Sequence, residues 1–244
     1  MSAKIIAVCN QKGGAGKTTV ALNLSGSLGK RGYKVAIIDG DEQSSLVEIA
    51  SLAPEDNLLP ANVMGLWKAG RKIHQEIRRF IELYDYIIVD CPPAANSPIA
   101  QSSLLVADVV IVPFIPGTID ALAAPKIRDA IESAQVINQK LKAFLLLNRV
   151  EEGWNISKQI IDILPEFKMT QLKTKLTKRA AYVESPGIGN SVHALKGKKE
   201  KIEPVIAEVE LFVDEILHIM NDEDSSLGNE EYNLEETKQP VSIS

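Results

Sequence analysis

The 244-residue chain contains only two cysteines, Cys9 and Cys91, and its cysteines and histidines show no spacing typical of a zinc site. Each cysteine lies at the end of a predicted core strand, so we expect buried thiols in a reducing compartment. No apolar stretch reaches the ~18 residues that a membrane span needs, and the chain does not open with a signal-peptide pattern. The sequence therefore predicts a cytoplasmic protein.

The chain also lacks internal repeats and an internal linker. Hydrophobic residues make up 45% of it, enough for a sizeable core, and the length fits one large domain. The net charge of −5 is uneven, because residues 221–244 carry −6. This segment is polar, aperiodic and rich in Ser and Asn, which is typical of disorder. We expect one α/β domain over residues 1–220 and a disordered acidic tail over residues 221–244.

Short apolar runs alternate with helical stretches along the predicted domain. Five runs are predicted strands: Ile5–Val8, Val35–Ile38, Tyr86–Val89, Val109–Val112 and Phe144–Leu147. Apolar strands separated by helices indicate a mostly parallel sheet covered by helices on both faces. The predicted fold class is therefore α/β.

Three helices are predicted from apolar residues spaced three and four apart. The first covers about Val20 to Leu28, directly after a glycine-rich segment. The second covers about Leu66 to Leu83, with four residues facing the core: Ile73, Ile77, Phe80 and Ile81. The third covers about Glu203 to Met220, with Pro204 tolerated in its first turn.

The glycine-rich segment, Lys12–Thr19, has the sequence Lys-Gly-Gly-Ala-Gly-Lys-Thr-Thr. Between a strand and a helix, such a turn exposes backbone N–H groups that bind phosphate. The alternative, a flexible surface turn, is disfavoured because a helical pattern follows the segment. Lys17 is expected to reach the β- and γ-phosphates, and the Thr18 hydroxyl to hold Mg²⁺. The general P-loop pattern has glycine at position 11, where this chain has Gln11, and the added Lys12 suggests that two lysines meet the phosphate charge. The other predicted nucleotide contacts come from Gly13, Gly14, Ala15, Gly16 and Thr19.

Acids and amides follow the other predicted strands at the ends where ligands bind a parallel sheet. Asp90 is expected to orient Mg²⁺ through water, the alternative being an aspartate that only caps a turn. Asp39 and Asp41 would share a face if their strand continues, so that one would serve Mg²⁺ and the other would position the attacking water. Asn148 and Arg149 follow the fifth strand at the same edge.

These segments together resemble the deviant-Walker ATPases of the ParA/MinD group. The similarity lies in Lys12–Thr19, in Ile38–Gln43 (Ile-Asp-Gly-Asp-Glu-Gln) and in Tyr86–Pro93 (Tyr-Ile-Ile-Val-Asp-Cys-Pro-Pro). Glu184–Pro186 is also similar to the Glu-x-Pro element of the ParA branch. The resemblance covers roughly residues 3–220 and extends to the small ParA-type partition ATPases that lack an N-terminal DNA-reading domain.

The resemblance implies that Lys12 reaches across an ATP-sandwiched dimer to the phosphates of the other subunit. It implies that Lys17 and Thr18 act within their own subunit and that Asp41 is the hydrolysis residue. The group usually has Asp-Pro-Gln at this point, where this chain has Glu42 in place of the proline. This departure bears on the hydrolysis rate more than on nucleotide binding.

The same resemblance implies that Asp39 and Asp90 support Mg²⁺. It places Asn148 at the position that recognises adenine, with Arg149 beside it, and Pro186 in the segment that flanks the base. The implied cofactors are ATP or ADP and Mg²⁺, and the implied activity is a weak intrinsic ATPase.

The function that the resemblance implies is plasmid or chromosome partition by an ATP-dependent homodimer, with hydrolysis stimulated by a ParB-like adaptor. One alternative is a positioning ATPase for a protein organelle or a cell-division site. Another is an ATP-dependent metabolic enzyme with the same loop, which would need a substrate pocket with polar anchors. The segments over residues 54–65 and 92–98 are short and mostly apolar or small, which disfavours the enzyme.

Residues 168–201 carry a net charge of +7, which indicates either solvated surfaces or a nucleic-acid interface. The resemblance implies non-specific DNA binding and nucleoid association in the ATP-bound state. The expected DNA-binding residues are Lys173, Lys175, Lys178, Arg179, Lys196, Lys198 and Lys199. The acids of the final helix and of the tail would repel an anionic membrane, so no membrane partner is expected.

Overall fold

The computed structural model describes residues 2–43, 45–116, 124–151 and 167–221. The predicted acidic tail lies outside these ranges except for Asn221, so its disorder stays a prediction. Among the described residues, no helix is both long enough and apolar enough to cross a membrane.

The described residues form a seven-stranded sheet in which every pair of neighbouring strands is parallel. The strands are β1 (Lys4–Val8), β2 (Val35–Asp39), β3 (Asn62–Gly65), β4 (Tyr86–Asp90), β5 (Val109–Phe114), β6 (Lys142–Val150) and β7 (Thr170–Thr177). Their spatial order is β3-β2-β4-β1-β5-β6-β7. The parallel sheet and its five predicted strands are confirmed.

The sequence did not predict the two outer strands, β3 and β7. β3 is four residues long and has exposed residues at both ends, so it carries no apolar run. β7 alternates buried leucines with exposed or half-buried Lys and Thr residues. Because only one side of each outer strand pairs with a neighbour, neither needs a fully apolar sequence.

Seven α-helices lie in the described part of the chain. They are α1 (Lys17–Lys30), α2 (Ser45–Ser51), α3 (Ile73–Arg78), α4 (Pro98–Leu104), α5 (Ala124–Ile137), α6 (Ala181–Gly187) and α7 (Lys199–Asn221). Short 3₁₀ segments occur at Glu55–Asn57, Trp67–Lys72 and Val192–Ala194.

Both faces of the sheet are covered by apolar layers. Ile5 and Ala7 of β1 face the layer built with α3, α4 and α5, whereas Ile6 and Val8 face the layer built with α1 and α7. Burial on both faces explains why the central strands are apolar at every position.

The predicted helix from Leu66 to Leu83 is wrong. The segment contains a 3₁₀ stretch that ends at Lys72, followed by the six-residue helix α3. Gly70 adopts φ 52° and ψ −127°, which no helical residue adopts, and so it interrupts the helix. The four residues predicted to face the core do so nevertheless, because two are buried in α3 and two pack against the same layer from the turns after it.

The last helix begins at Lys199, four residues before the predicted start, so Pro204 is not in its first turn. Proline has no N–H group, and the carbonyl of Glu200 therefore loses its helical donor. Both Glu200 and Pro204 are exposed, so water can reach this carbonyl.

Candidate nucleotide-binding site

The phosphate loop lies between β1 and α1, where its glycines adopt backbone angles that other residues avoid. Gly14 has φ 77° and Gly16, which precedes α1, has φ 93°. A Cβ atom on Gly16 would lie 2.2 Å from the side-chain nitrogen of Asn148. The loop therefore needs glycine at position 16 for its conformation and for its packing. The backbone N–H groups at the start of α1 are placed to bind phosphate.

The two lysines of the loop lie in different environments. The Lys17 side chain is turned into the loop, where it is only 7% exposed and its Nζ donates to the carbonyl of Lys12 at 3.3 Å. Lys12 itself is exposed at the surface. The structure thus places one cation inside the loop of its own subunit and the other where a neighbouring molecule can reach it.

Thr18 and Asp90 are joined at the start of α1. The Thr18 hydroxyl donates to Oδ2 of Asp90 at 2.6 Å. The other carboxylate oxygen of Asp90, Oδ1, is buried and has no hydrogen-bond partner among the described residues. Burial raises the pKa of Asp90 to about 7, although the hydrogen bond from Thr18 and the charge of Lys17 oppose this shift.

This pair fits a magnesium ion. Mg²⁺ prefers oxygen ligands and usually takes one or two protein groups, with water and phosphate oxygens completing its shell. Thr18 and the unpartnered Oδ1 of Asp90 supply such groups, and in the described ranges no cluster of three or more His, Cys, Asp or Glu side chains offers an all-protein cage. A buried carboxylate oxygen without a donor also gains the most from a cation.

Asp90→Asn is expected to stabilise the nucleotide-free protein while weakening Mg²⁺-dependent ATP binding about tenfold or more. A carboxyl whose pKa is higher in the folded than in the unfolded state loses stability as pH rises from about 4 to about 7. The gain in melting temperature should therefore be larger at pH 8 than at pH 5.5, reaching about 5 °C. Thermal melts at both pH values, with the exposed Asp56→Asn as control, would measure it. An equal gain at both pH values would contradict the assigned cause.

Asp39 is fully buried at the end of β2, and both its carboxylate oxygens accept hydrogen bonds from the backbone. Oδ1 accepts from the N–H of Asp41 at 3.0 Å, and Oδ2 accepts from those of Leu46 and Val47 at 3.0 and 3.1 Å. Burial raises the pKa of Asp39, and these three donors oppose the shift. Asp39 thus anchors the start of α2 and the turn before it. Its role in supporting Mg²⁺ stays a prediction.

Asp41 lies beyond the end of β2, so it does not share a strand face with Asp39. Its side chain is half-buried, and Oδ1 accepts a hydrogen bond from the N–H of Gln43 at 3.1 Å. Gly40 between the two acids donates to the carbonyl of Asp90 at 3.0 Å, which holds this turn beside the Mg²⁺-binding pair. The role of Asp41 in hydrolysis stays a prediction.

Asn148 reaches the same end of the sheet, but its amide faces the phosphate loop. Nδ2 donates to the carbonyl of Ala15 at 2.9 Å, and Oδ1 accepts from the N–H of Arg149 at 3.0 Å. Arg149 is exposed and has a left-handed backbone, with φ 54°. Asn148 therefore supports the loop, and its role in recognising adenine stays a prediction. Pro186 lies in the last turn of α6.

The residues predicted to bind DNA fall into two groups. Lys173 and Lys175 are exposed on one face of β7, and Lys196, Lys198 and Lys199 are exposed around the start of α7. Two others pair with acids of this chain, and Lys199 Nζ lies 4.0 Å from Oε1 of Glu203, one turn further along α7. Lys178 contacts Glu151 at 2.9 Å, and the guanidinium of Arg179 contacts Glu208 of α7 at 3.0 Å. Arg179 thus ties α7 to the segment after β7, and the DNA-binding role of the lysines stays a prediction.

The two cysteines are buried, as predicted. Their sulfur atoms lie 2.7 Å apart at the ends of β1 and β4. Contact with Cys9 and burial raise the pKa of the Cys91 thiol well above its usual value, which makes it a poor nucleophile.

Comparison with known protein families identifies the family of this chain. A model described as the CobQ/CobB/MinD/ParA nucleotide binding domain matches residues 6–192. The chain belongs to this family. Its ParA and MinD members are nucleotide-binding ATPases, and the resemblance found in the motifs is confirmed.

Two relatives match most of this chain and most of their own length. The chain is 29% identical over 208 residues to the maintenance of carboxysome distribution protein A of Halothiobacillus neapolitanus, covering 84% of this chain and 95% of that protein. It is 26% identical over 234 residues to the sporulation initiation inhibitor protein Soj of Bacillus subtilis, covering 78% and 90%.

Solved structures confirm the fold. The ATP complex of Cyanothece McdA superposes with a TM-score of 0.67 at 16% identity, covering 89% of this chain and 97% of that one. Cobyrinic acid a,c-diamide synthase of Mycobacterium smegmatis, with a bound ATP analogue and magnesium, gives 0.66 at 21% identity, covering 89% and 95%. Because a positioning-type protein and a synthase fit equally well, the fold alone does not choose between them.

Proposed function

We propose that this chain is a ParA-type ATPase that dimerises around ATP and uses hydrolysis to release the dimer. The observation that carries the proposal is the difference in burial between the two lysines of the loop. Lys17 is buried in its own loop, whereas Lys12, at the front of the same loop, is exposed. A second, exposed cation beside a phosphate site can serve a nucleotide held by another copy of the chain.

The residues of the site suit phosphoryl transfer. The loop N–H groups and Lys17 bind the β- and γ-phosphates, and Thr18 and Asp90 would hold Mg²⁺, which neutralises charge on the phosphate oxygens when bound. Asp41 lies on the turn beside them, where it can position the attacking water. Lys12 from the second subunit adds a positive charge that interacts most strongly with the γ-phosphate of a triphosphate. Loss of the γ-phosphate therefore removes the bridge between subunits.

Light scattering with ATP, with ADP and without nucleotide tests this proposal directly. We expect a doubled mass with ATP and the monomer mass in the other two conditions. A mass that does not respond to nucleotide, whether monomer or dimer, would contradict the switch.

We further propose that the ATP-bound dimer binds DNA without sequence preference. The exposed lysines of β7 support this, since dimerisation doubles the number of DNA phosphates that they can reach. Contacts from these lysines to the DNA phosphates should dominate, and such contacts carry no sequence information.

The double variant Lys173→Ala and Lys175→Ala is expected to weaken binding to every duplex alike. The slope of log affinity against log salt should fall by about 0.9 for each DNA phosphate that the variant no longer neutralises. Titration of several duplexes at three salt concentrations would measure it. The matched control is Lys68→Ala with Lys72→Ala, which removes the same charge from the 3₁₀ segment before α3. A weakening confined to one duplex sequence would indicate base recognition instead.

The proposed partners are an adaptor that stimulates hydrolysis and a cargo attached to it. Two cargo classes are supported by the names of relatives. One relative is named for carboxysome distribution, which suggests a protein assembly, and another is named ParA, which suggests DNA partition. Deleting the gene separates them, since plasmid loss indicates the second class and a clustered protein assembly with stable plasmids indicates the first.

A further inference from the structure

Gln11 occupies the position where the general P-loop pattern has glycine, and the structure shows what its side chain does. Its Oε1 accepts a hydrogen bond from the N–H of Ala95 at 2.9 Å. Its backbone carbonyl accepts another from the N–H of Ala94 at 3.2 Å. Two hydrogen bonds thus join this residue to the segment that follows β4.

The segment held by Gln11 begins at the Mg²⁺-binding carboxylate. Only Cys91, Pro92 and Pro93 separate Asp90 from Ala94, and the two prolines stiffen this short connection. Ala94 has a left-handed backbone with φ 87°, and Ala95 is almost fully buried. This short connection could pass a shift of Asp90 to the two N–H groups that donate to Gln11.

On its other side, Gln11 precedes Lys12, whose backbone is fixed at both ends. The N–H of Lys12 donates to Oδ1 of Asn10 at 3.3 Å, and its carbonyl accepts from Nζ of Lys17 at 3.3 Å. Asn10 is buried, and its Nδ2 donates to the carbonyl of Pro113 in β5 at 2.6 Å. The backbone of the exposed Lys12 is thus linked, through Gln11, to the segment after Asp90.

We propose that Gln11 is a positioning residue that couples the segment after Asp90 to Lys12, so that the occupancy of the Mg²⁺-binding pair sets how Lys12 is presented to a second subunit. Glycine at position 11 would keep the backbone bond to Ala94 and lose the side-chain bond to Ala95. The amide therefore adds a connection that an ordinary loop of this kind lacks. This inference rests on the proposed ATP-dependent dimer.

Three variants separate coupling from plain structural support. Gln11→Met keeps the length of the side chain and removes the acceptor, whereas Gln11→Glu keeps the acceptor. The matched control is Gln75→Met, at an exposed position of α3. For each, we would measure amide hydrogen exchange at residues 94 and 95 by NMR, affinity for a fluorescent ADP analogue, the mass with saturating ATP, and kcat and KM for ATP.

Gln11→Met is expected to speed amide exchange at Ala95 more than at Ala94. It should also lower kcat and ATP-dependent dimerisation about tenfold, because the free energy of one hydrogen bond corresponds to a factor of about ten. Its affinity for the ADP analogue should stay within about threefold of the wild type, because the loop still binds phosphate. Gln11→Glu should keep the protection at Ala95 and dimerise at saturating ATP.

Wild-type turnover and dimerisation in Gln11→Met would overturn the inference, as would a parallel loss of ADP binding and melting temperature, which indicates structural support alone. Failure of the proposed function looks different. In that case the wild type itself does not dimerise with ATP, while exchange at Ala95 still reports whether Gln11 holds the segment.

Discussion

Lys12→Ala is expected to leave a monomer that binds ATP but neither dimerises nor turns it over. Lys17, Thr18 and the loop backbone all remain, so nucleotide affinity should change little. The charge removed is the one offered to the other subunit, and a cation supplied in trans to a phosphoryl group is worth about 10³-fold or more in rate. Light scattering with ATP and phosphate release measured on the same sample would check both effects.

The control for Lys12→Ala is Lys68→Ala, which removes one positive charge from the 3₁₀ segment before α3. It should dimerise and hydrolyse as the wild type does. Normal turnover in the Lys12 variant would rule out a lysine acting across the interface.

Asp41→Ala is expected to trap an ATP-bound dimer. Asp41 lies on the turn beside the Mg²⁺-binding pair, and its half-buried carboxylate is the group that the proposal assigns to the attacking water. Removing it should slow hydrolysis by about 100-fold while leaving every group that binds the phosphates. After loading with one equivalent of ATP, the doubled mass should persist for hours after the wild type has hydrolysed its nucleotide and returned to monomer.

Glu42→Ala is the matched control, because it removes one negative charge from the adjacent position. It should hydrolyse ATP and dissociate. It also probes the one motif position where this chain departs from the family pattern, so a faster rate than wild type would show that Glu42 restrains the turn. An Asp41 variant that stays monomeric with ATP would be incompatible with the assigned role.

The sequence predicted those parts of the fold that depend on local pattern. The central strands were found because burial on both faces demands apolar residues at every position. β3 and β7 were missed because an outer strand is free to be polar. The predicted long helix before β4 was wrong because apolar spacing continued through Gly70, which adopts a positive φ that breaks the helix.

The candidate site was also predicted from the sequence only in part. The sequence predicted that the loop, Asp39, Asp90 and Asn148 would meet at one end of the sheet, since each follows a strand. It did not predict that Asn148 would hold the carbonyl of Ala15, 133 residues away, or that Asp39 would bind three backbone N–H groups. Those partners are fixed by the packing of distant segments. Gln11 was noted only as a missing glycine, since its contact with Ala95 spans 84 residues.

The position of β7 at the border of the sheet has a consequence for how these molecules meet at high concentration. The register with β6 slips between Gln171 and Lys175, and the N–H groups of Lys173 and Thr174 donate to the Glu215 carboxylate at 2.7 and 2.9 Å. An outer strand with vacant amides is a template on which a foreign strand can assemble. Here the chain's own final helix has already taken two of those amides, which disfavours the addition of a foreign strand at this point of the sheet.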